Sequence, residues 1–543
     1  MLPSRYWPFA ACIVVTLASL FGIAWSNAWI WPGIVSGALV LVGVVDLAQE
    51  KQTLRRNYPV IAHLRYFLES IGPEIRQYFI EADNDERPFS RQQRSLVYQR
   101  AKNTLDKRPF GTQLDLYADK YEWINHSLAP TDVASHDFRI LIGKNRTLPY
   151  SASVFNISAM SFGSLSANAI RALNEGARRG NFFQDTGEGS ISQYHRENGG
   201  DVVWEIGSGY FGCRDSEGRF SEEKFTANAC TAQVKMIEVK LSQGAKPGHG
   251  GVLPGVKVSP EIAAARGVPV GVDCVSPARH SAFSTPVELL QFVDRLRTLS
   301  GGKPTGFKLA IGHPWEWFAI AKAMHETGLL PDFIVVDGGE GGTGAAPLEF
   351  TDHVGAPLRE ALLLVHNTLV GLDLRQHIHV GAAGKVITAF DIARTLALGA
   401  DWCNAARGFM FALGCIQSLS CHTDRCPTGV ATQNQGRQKA LVPQDKATRV
   451  FQFHENTLMA LRELIAAAGL THPDQLGPEH IIRRVSSTEV RSLAVLHRFM
   501  QPGELLDGAM PDHPAFLAFW ADARSDSFQA PARVRAMRSS KSR

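Results

Sequence analysis

The chain has 543 residues, of which 45% are hydrophobic and 20% are charged, so it can bury a large core and is neither disordered nor fibrous. Its net charge of +4 is mild, and no stripe of Lys and Arg interleaved with aromatic residues occurs, which argues against nucleic acid as a partner. Eight cysteines are too few for a disulfide scaffold, and three of them fall within residues 415–426. That crowding indicates metal binding in a reducing compartment.

Two uncharged runs at the N-terminus, Pro8 to Trp25 and Ala28 to Val45, are each long enough to cross a bilayer core of about 30 Å. Basic residues lie outside the pair, at Arg5 and Lys51, and none lies in the connection between the runs. We therefore expect a transmembrane hairpin over residues 1–49, in the cell inner membrane, with both termini and the catalytic domain in the cytoplasm. A cleaved secretory signal is the alternative, but a second apolar run follows directly.

The rest of the chain divides into three predicted parts. Residues 50–145 have charged, helical patches without a chemical motif, and we predict a helical stalk. Between residues 146 and 440, short apolar runs ending in glycine-rich turns alternate with amphipathic stretches. That alternation is typical of parallel strands followed by crossover helices. Residues 441–543 are predicted to form a C-terminal helical extension, which includes a helix at 444–468.

This alternation predicts an α/β fold, a (β/α)8 TIM barrel. The predicted strands are 153–159, 304–311, 333–338, 377–382 and 402–406. The predicted helices between them include 286–298, 315–327, 357–370 and 388–398. A doubly wound sheet is the alternative, but no GxGxxG motif opens the first strand–helix turn, and ligand-like loops follow many different strands.

Glycine-rich loops follow two late strands, at residues 338–344 and 381–385. Glycine lets backbone N–H groups approach phosphate oxygens, and loops after the last two strands of a barrel commonly bind phosphate. Glycines that merely form tight turns are the alternative, which a pair of such loops disfavours. Arg407 follows strand 402–406 and could add a positive charge.

Three cysteines, Cys415, Cys421 and Cys426, have five and four residues between them and precede Pro427. Thiolates at this spacing can converge on one soft metal centre. Three ligands suit either an iron–sulfur cubane that lacks one iron or a zinc site with an open position, and spacing alone does not distinguish them. Three buried, inert thiols are the remaining alternative.

Residues 414–433 closely resemble the cluster-binding stretch of glutamate synthases, and read GCIQSLSCHTDRCPTGVATQ. The resemblance extends over about 150–435 and includes AMSFGSLS at 159–166, DTGEGS at 185–190, KLSQGAKPGHGG at 240–251 and DGGEGGTGAAP at 337–347. It implies a single-subunit relative of the glutamate synthase core that binds FMN. It also implies that Cys415, Cys421 and Cys426 hold a 3Fe-4S cluster.

The resemblance also implies roles for residues at matching positions. The residues that would bind FMN are Ala159, Met160 and Ser161 at the ring, Lys308 at its polar edge, and Gly341, Gly342, Thr343, Gly384 and Lys385 at the phosphate. The residues that would bind 2-oxoglutarate are Lys246, Arg266 and Ser284. Glu188 and Lys240 are the residues that we predict to be catalytic, through proton handling. Arg and Lys suit a dicarboxylate because they are charge-assisted donors.

The chain departs from the family pattern at three positions. Val252 stands in place of a glutamine, His249 in place of a glutamate, and Glu205 in place of a glutamine near the flavin. Loss of a buried amide partner costs about 1–3 kcal/mol or changes substrate preference. His249 is either a proton shuttle or a packed, hydrogen-bonded histidine.

The predicted function is FMN-dependent reductive amination of 2-oxoglutarate, through 2-iminoglutarate, to L-glutamate, with electrons entering through the cluster. No N-terminal cysteine nucleophile of a glutamine amidotransferase and no NAD(P)H fingerprint occur in the sequence. We therefore expect ammonia from elsewhere and a protein electron donor, either ferredoxin-like or membrane-associated. The alternatives are an amine or hydroxy-acid dehydrogenase that passes electrons to a membrane acceptor, and an electron-transfer scaffold without turnover.

Overall fold

The protein is described by a computed structural model that covers residues 3–49, 51–84, 87–508 and 512–540. The chain forms two compact units, Met1–Arg91 and Gln92–Arg543. The predicted boundaries at residues 49, 145 and 440 remain predictions.

The first unit contains the two apolar helices, Trp7–Gly22 and Ile30–Ala48, which pack against each other. The helices approach closely at Gly33, where an added Cβ would lie only 3.2 Å from Ser19 Cβ. Thr16 Oγ1 donates a hydrogen bond to Ser36 Oγ at 2.9 Å across the pair. Length and composition make Ser4–Gly22 and Asn27–Ala48 candidate membrane spans, a test that a signal sequence also passes. Membrane crossing therefore remains a prediction.

Shorter helices follow the hairpin at Thr53–Asn57 and Ala62–Ile75. Asp46 accepts hydrogen bonds from Val60 N and from His63 Nε2, both at 2.9 Å, which ties the end of the second apolar helix to this segment. The helix Arg91–Ala101, which belongs to the second unit from Gln92 onward, leads into residues 102–121, which are turns and irregular structure.

The second unit is built on a closed barrel of eight parallel strands, so the predicted TIM barrel is confirmed. The barrel strands, here β1 to β8, are Phe155–Ile157, Gln184–Asp185, Val202–Ile206, Val234–Lys240, Thr305–Leu309, Phe333–Asp337, His379–Ala383 and Trp402–Ala405. Each strand pairs with the next in chain order, and β8 pairs with β1, which closes the ring. Five of these strands match predicted ones within a few residues.

Helices surround the barrel in the expected alternation. The outer helices are Ala167–Arg179, Gln193–Arg196, Glu222–Ala229, Pro260–Arg266, Pro286–Leu299, Pro314–Thr327, Leu348–His353, Leu358–Gly371, Ala389–Ala397 and Arg407–Leu413. After the barrel come Gln435–Gln438, the long helix Pro443–Ala467, Leu493–Leu496, Pro514–Phe519 and Ala532–Ser540. The predicted helices at 286–298, 315–327, 357–370, 388–398 and 444–468 are thus confirmed within about one residue.

A β-hairpin, Arg139–Ile142 paired with Tyr150–Ser153, closes the N-terminal end of the barrel. Its residues share a buried cluster with side chains from the starts of the strands: Ile142, Tyr150, Ala152, Phe183, Val203, Met236, Phe333, Val335 and Trp402. An antiparallel sheet of Glu122–Ile124, Ile481–Arg484 and Val490–Ser492 lies outside the barrel. We call this buried cluster the apolar plug. It fills the N-terminal end of the barrel, so polar side chains inside the barrel lie toward the C-terminal end.

Candidate active site

Most of the predicted site residues lie at the C-terminal ends of the barrel strands. Glu188 follows β2, Lys240 is the last residue of β4, Lys308 lies in β5, and Gly341 follows β6. In a parallel barrel the loops after the strands form one face, and active sites occur on that face. The fold therefore brings these residues to one end of the molecule, although they are far apart in sequence.

Glu188 and Lys240 form an ion pair on this face. Lys240 Nζ lies 3.4 Å from Glu188 Oε2, and the side chains are only 12% and 15% exposed. Burial raises the pKa of Glu188, but attraction to Lys240, Arg266 and Lys246 outweighs burial and leaves that pKa below its ordinary value. Glu188 is therefore a carboxylate at neutral pH, held beside an ammonium group. Such a pair can accept and deliver a proton.

Two glycines leave room for the Glu188 carboxylate. A Cβ on Gly251 would lie 1.9 Å from Glu188 Oε1, and a Cβ on Gly207 would lie 2.8 Å from Glu188 Oε2. Ser276 Oγ donates a hydrogen bond to Oε2 at 3.4 Å. The carboxylate position thus depends on two loops that have no side chain at the point of contact.

Lys246 and Arg266 are buried, at 5% and 4% exposure, so neither is a solvated surface charge. Lys246 Nζ donates to Ala345 O at 3.0 Å, and burial, with repulsion from Lys240, lowers the pKa of Lys246. Arg266 Nη2 donates to Ser161 Oγ at 3.3 Å and to Phe162 O at 3.1 Å.

The buried Nε of Arg266 has no hydrogen-bond partner among the described residues. A buried guanidinium N–H without a partner is costly, and a carboxylate ligand would satisfy it. The position and burial of Arg266 therefore suit the predicted dicarboxylate.

Ser284 lies just before the helix Pro286–Leu299, whose N-cap is Thr285. It is exposed, and its N–H and hydroxyl donate to Glu288 Oε2 at 2.7 and 2.8 Å. The hydroxyl is thus bonded to Glu288 in the structure, and its substrate-binding role remains a prediction.

His280 and Tyr210 support Lys240, and the sequence had indicated neither. His280 Nε2 donates to Lys240 O at 2.8 Å, and Nδ1 lies 3.1 Å from Tyr210 Oη. Burial lowers the pKa of His280 to about 4, so the ring is neutral at physiological pH. A single histidine between apolar segments carries no recognisable signal in the sequence.

The predicted flavin-binding segment, residues 159–161, packs directly on the loop that carries Glu188. A Cβ on Gly187 would lie 2.7 Å from Ser161 N, and one on Gly189 would lie 2.7 Å from Ser161 Cβ. Ala159 is half-buried and Met160 is 8% exposed. A ring bound against this segment would therefore lie next to the Glu188 carboxylate.

Lys308 lies inside the barrel among three buried carboxylates. Its Nζ contacts Glu205 Oε2 and lies 3.2 Å from Glu238 Oε1. Carboxylate oxygens of Asp185, Glu205 and Glu238 lie within 4.8 Å of one another. Only Glu205 had been noted in the sequence, as a departure from the family, although Asp185 begins the DTGEGS motif.

The glycine-rich loop after β6 is tightly packed around Arg407. A Cβ on Gly244 would lie 1.8 Å from Gly338 O, and one on Gly342 would lie 2.8 Å from Arg407 Nε. Arg407 Nη2 donates to the carbonyl of Glu340 at 2.6 Å, and although burial lowers its pKa to about 10, it stays charged. Close backbone approach beside a cation suits a phosphate group.

The other predicted phosphate residues flank this loop. Thr343 Oγ1 donates to Ala345 O at 3.2 Å. After β7, Gly384 and Lys385 have φ angles of 157° and 52°, so Lys385 adopts the left-handed conformation of a sharp turn. The residues present therefore fit the phosphate of FMN.

The three predicted metal-binding cysteines lie in a tightly wound loop after β8. Gln417, Leu419 and Asp424 in this loop have φ angles of 58°, 55° and 60°. Gln417 N donates to Cys415 Sγ at 3.4 Å. Burial raises the pKa of Cys426, but backbone N–H groups of Ala431, Thr428 and Val430 outweigh burial and lower it. Such N–H donors are the groups that stabilise a metal-bound thiolate, so the loop fits a thiolate-bound centre.

Lys257 and Gln433 connect the cysteine loop to the predicted flavin segment. The Lys257 ammonium is buried and donates to Ser164 O at 3.0 Å, Cys421 O at 3.3 Å and Ala431 O at 3.4 Å. Gln433 Nε2 donates to Gly163 O at 3.0 Å and to Leu165 O at 2.9 Å. The structure therefore places the cysteine loop beside residues 159–166.

These features define an enzyme of the (β/α)8-barrel class, with a charged site at the C-terminal face and a cysteine loop next to it. The chain belongs to the glutamate synthase family, because the conserved region in glutamate synthase matches residues 114–471. The family is one of oxidoreductases that act on CH–NH2 donors, and the predicted enzyme class is confirmed.

Similarity to individual proteins agrees with the family. A glutamate synthase large subunit-like protein of Bacillus subtilis is 37% identical over 514 residues, which cover 86% of this chain and 97% of that protein. An archaeal glutamate synthase [NADPH] of Methanocaldococcus jannaschii is 35% identical over 342 residues, 63% of this chain and 64% of that protein. Flavocytochrome b2 with pyruvate bound, a solved structure, has 13% identity over 84% of this chain and 92% of that chain, and its TM-score of 0.40 is too low to bear on function.

Proposed function

We propose that the protein is a membrane-bound, FMN-dependent enzyme that converts 2-oxoglutarate and ammonia to L-glutamate through 2-iminoglutarate. The observation that carries the proposal is the Glu188–Lys240 ion pair, with Lys246 and Arg266 around it, on the face that adjoins residues 159–161. A dicarboxylate requires cationic donors, and an imine requires a proton donor at its nitrogen.

The role of each residue follows from its charge and burial. Lys246 and Arg266 would bind the two carboxylates, because both are buried cations and the Arg266 Nε lacks a hydrogen-bond partner among the described residues. Lys240 would donate a proton during formation and reduction of the imine. Glu188 would hold ammonium, accept the proton that ammonium loses when it becomes ammonia, and pass that proton to Lys240. FMN, when bound, supplies the hydride chemistry.

The resemblance of residues 414–433 to the cluster-binding stretch of glutamate synthases favours a cluster over zinc at the cysteine loop. We propose that Cys415, Cys421 and Cys426 hold a 3Fe-4S cluster that receives electrons from a ferredoxin-like or membrane-associated donor.

The N-terminal hairpin supports a place in the cell inner membrane with the barrel in the cytoplasm. It also favours one alternative function, a dehydrogenase for an amine or hydroxy acid that passes electrons to a membrane acceptor. The hairpin residues Val14 and Leu41 are 64% and 69% exposed, as expected of helices that face lipid.

One anaerobic experiment tests both functions. The purified protein is reduced, 2-oxoglutarate and ammonium are added, and flavin reoxidation and glutamate are followed together. Rapid reoxidation with stoichiometric glutamate is expected. Two results together would contradict the proposal and favour the dehydrogenase. In the first, the flavin of the reduced protein stays reduced. In the second, glutamate reduces the flavin of the oxidised protein.

A further inference from the structure

The interior of the barrel contains a charged layer between the apolar plug and the C-terminal face. Asp185 ends β2, Glu205 lies in β3, Glu238 in β4 and Lys308 in β5, so four consecutive strands each contribute one group. Glu205 and Glu238 are register partners on adjacent strands. All four side chains are enclosed, with residue exposures between 1% and 3%.

The charges in this layer do not balance. Three carboxylates share one ammonium group: Lys308 contacts Glu205 and lies 3.2 Å from Glu238 Oε1. Carboxylate oxygens of the three acids lie within 4.8 Å of one another. Two carboxylates that close cannot both remain ionised in a buried site without a compensating cation, and here one cation faces three of them.

Among the residues that the structure describes, no second cation pairs with these three carboxylates. Asp337 on β6 faces Lys308 and adds a further negative charge, and its Oδ2 accepts a hydrogen bond from Gly244 N at 2.8 Å. Lys240 on β4 is already paired with Glu188. Glu238 Oε1 makes no hydrogen bond among the described residues, although it lies near Lys308. A protonated, neutral carboxyl group tolerates such a position better than a carboxylate does.

We propose that Asp185, Glu205, Glu238 and Lys308 form an enclosed proton-binding site that holds at least one proton at neutral pH. The same site takes up a further proton when negative charge is added beside Lys308, on the C-terminal side of the barrel. The first statement rests only on the carboxylates and the lysine. The second rests on the proposed function and on the contact between FMN and Lys308 that the family resemblance implies.

The pKa directions agree with this geometry. Burial, followed by repulsion from Glu205, raises the pKa of Asp185 to about 7, although attraction to Lys308 opposes it. Burial also raises the pKa of Glu238 well above its ordinary value, and Asp185 and Glu205 raise it further. Within the site, burial and the neighbouring acids thus favour the protonated form of Glu238, and Asp185 titrates near neutrality.

The coupling to reduction follows from charge balance. FMN bound against Lys308 would gain one negative charge when two electrons and one proton reduce it. That charge would increase the proton affinity of Asp185 by Coulomb interaction, and a proton from solvent would restore neutrality. The electrons come from the protein donor of the proposed function.

Infrared spectroscopy of the full-length protein in detergent tests the first statement. At neutral pH, the wild type is expected to show a carboxylic acid C=O band that Glu238→Gln lacks, because glutamine has an amide in place of the acid. The two side chains are the same size, and both are neutral when the acid is protonated. Asp185→Asn is the second variant, and it is expected to lose the part of the band that titrates near pH 7. Glu223→Gln, at an exposed position on the helix Glu222–Ala229, is the matched control and is expected to leave the band unchanged.

Proton uptake tests the second statement. With a pH indicator in weak buffer, the wild type is expected to take up more protons per two electrons than Asp185→Asn when the bound flavin is reduced. Identical C=O bands in the wild type and both folded variants would overturn the proposal, whether or not FMN is bound. Equal proton uptake in flavin-loaded wild type and Asp185→Asn would overturn the coupling alone, and a protein that binds no flavin would contradict the proposed function instead.

Discussion

The ion pair between Lys240 and Glu188 spans an intervening strand. Lys240 ends β4 and Glu188 follows β2, so the pair passes over the end of β3. Contact across β3 is possible because Gly207 follows directly after that strand, where a Cβ would lie 2.8 Å from the Glu188 carboxylate. The position of the predicted catalytic pair therefore depends on Gly207, which has no side chain and takes no part in the reaction.

Replacement of the proposed proton acceptor is expected to stop catalysis without loss of the flavin. Glu188→Gln keeps the size of the side chain but removes the charge that Lys240 faces. Positioned acid–base groups contribute about 10²–10⁴-fold in rate, so glutamate formation should fall by about that factor. The measurement is the rate of glutamate formation, with flavin absorbance read in parallel. Glu223→Gln is the matched control, and a wild-type rate in Glu188→Gln would exclude Glu188 from proton handling.

Loss of either buried cation is expected to weaken binding of the oxo acid. Hydrogen bonds to charged groups contribute about 1.5–3 kcal/mol, so Lys246→Ala or Arg266→Ala should raise the KM for 2-oxoglutarate roughly 10- to 100-fold. Lys439→Ala, at an exposed position, is the matched control. The KM for ammonium should change less than that for the oxo acid. Normal kinetics in both variants would remove these residues from the site.

The cysteine loop is expected to lose its cluster when one thiol is replaced. Cys426→Ser removes the thiol that three backbone N–H groups favour as a thiolate. Iron content and the electron paramagnetic resonance signal of the oxidised protein should both disappear. Cys230 is exposed, and Cys230→Ser should leave both unchanged. Retention of bound iron in Cys426→Ser, or zinc in the wild type, would contradict the cluster assignment.

The charged layer predicts a specific dependence of stability on pH. The folded chain raises the pKa of Asp185 from 3.8 to about 7, so between these values the folded state binds a proton that the unfolded state has released. The contribution of Asp185 to stability therefore falls as pH rises from about 4 to about 7 and is level above that range. Asp185→Asn removes this loss, so its Tm relative to the wild type should increase between about pH 4 and about pH 7 and stay level above that range.

The control for this experiment is Asp132→Asn, at an exposed position. Its Tm difference from the wild type should be independent of pH. A constant difference for Asp185→Asn as well would show that Asp185 titrates in the folded protein as it does in the unfolded chain.

The hairpin is expected to hold the protein in the membrane. Val14 and Leu41 are 64% and 69% exposed near the middle of the two apolar helices. An arginine near the centre of a span costs about 2.5–3.5 kcal/mol, so Val14→Arg with Leu41→Arg should release the protein from membranes washed at alkaline pH. Val14→Leu with Leu41→Val is the matched control. Wild-type protein in the soluble fraction would contradict the prediction.

The sequence predicted five of the eight barrel strands and missed three for a physical reason. The strands Val202–Ile206 and Val234–Lys240 direct Glu205, Glu238 and Lys240 into the barrel, and those charges interrupt the apolar runs that identify buried strands. Gln184–Asp185 is only two residues long, too short for any periodicity. The missed strands are thus the three that carry the carboxylates of the charged layer.

The sequence by itself determined the alternation of strands and helices, the apolar hairpin, the glycine-rich loops and the spacing of the three cysteines, because each is a local pattern of residue types. Tertiary structure alone decided that Asp185, Glu205 and Glu238 surround Lys308, that His280 holds Lys240, and that the Ser284 hydroxyl donates to Glu288. These contacts join residues from different strands and loops. They depend on the register in which eight strands close into a ring, and register follows from packing of the whole barrel and not from any single segment.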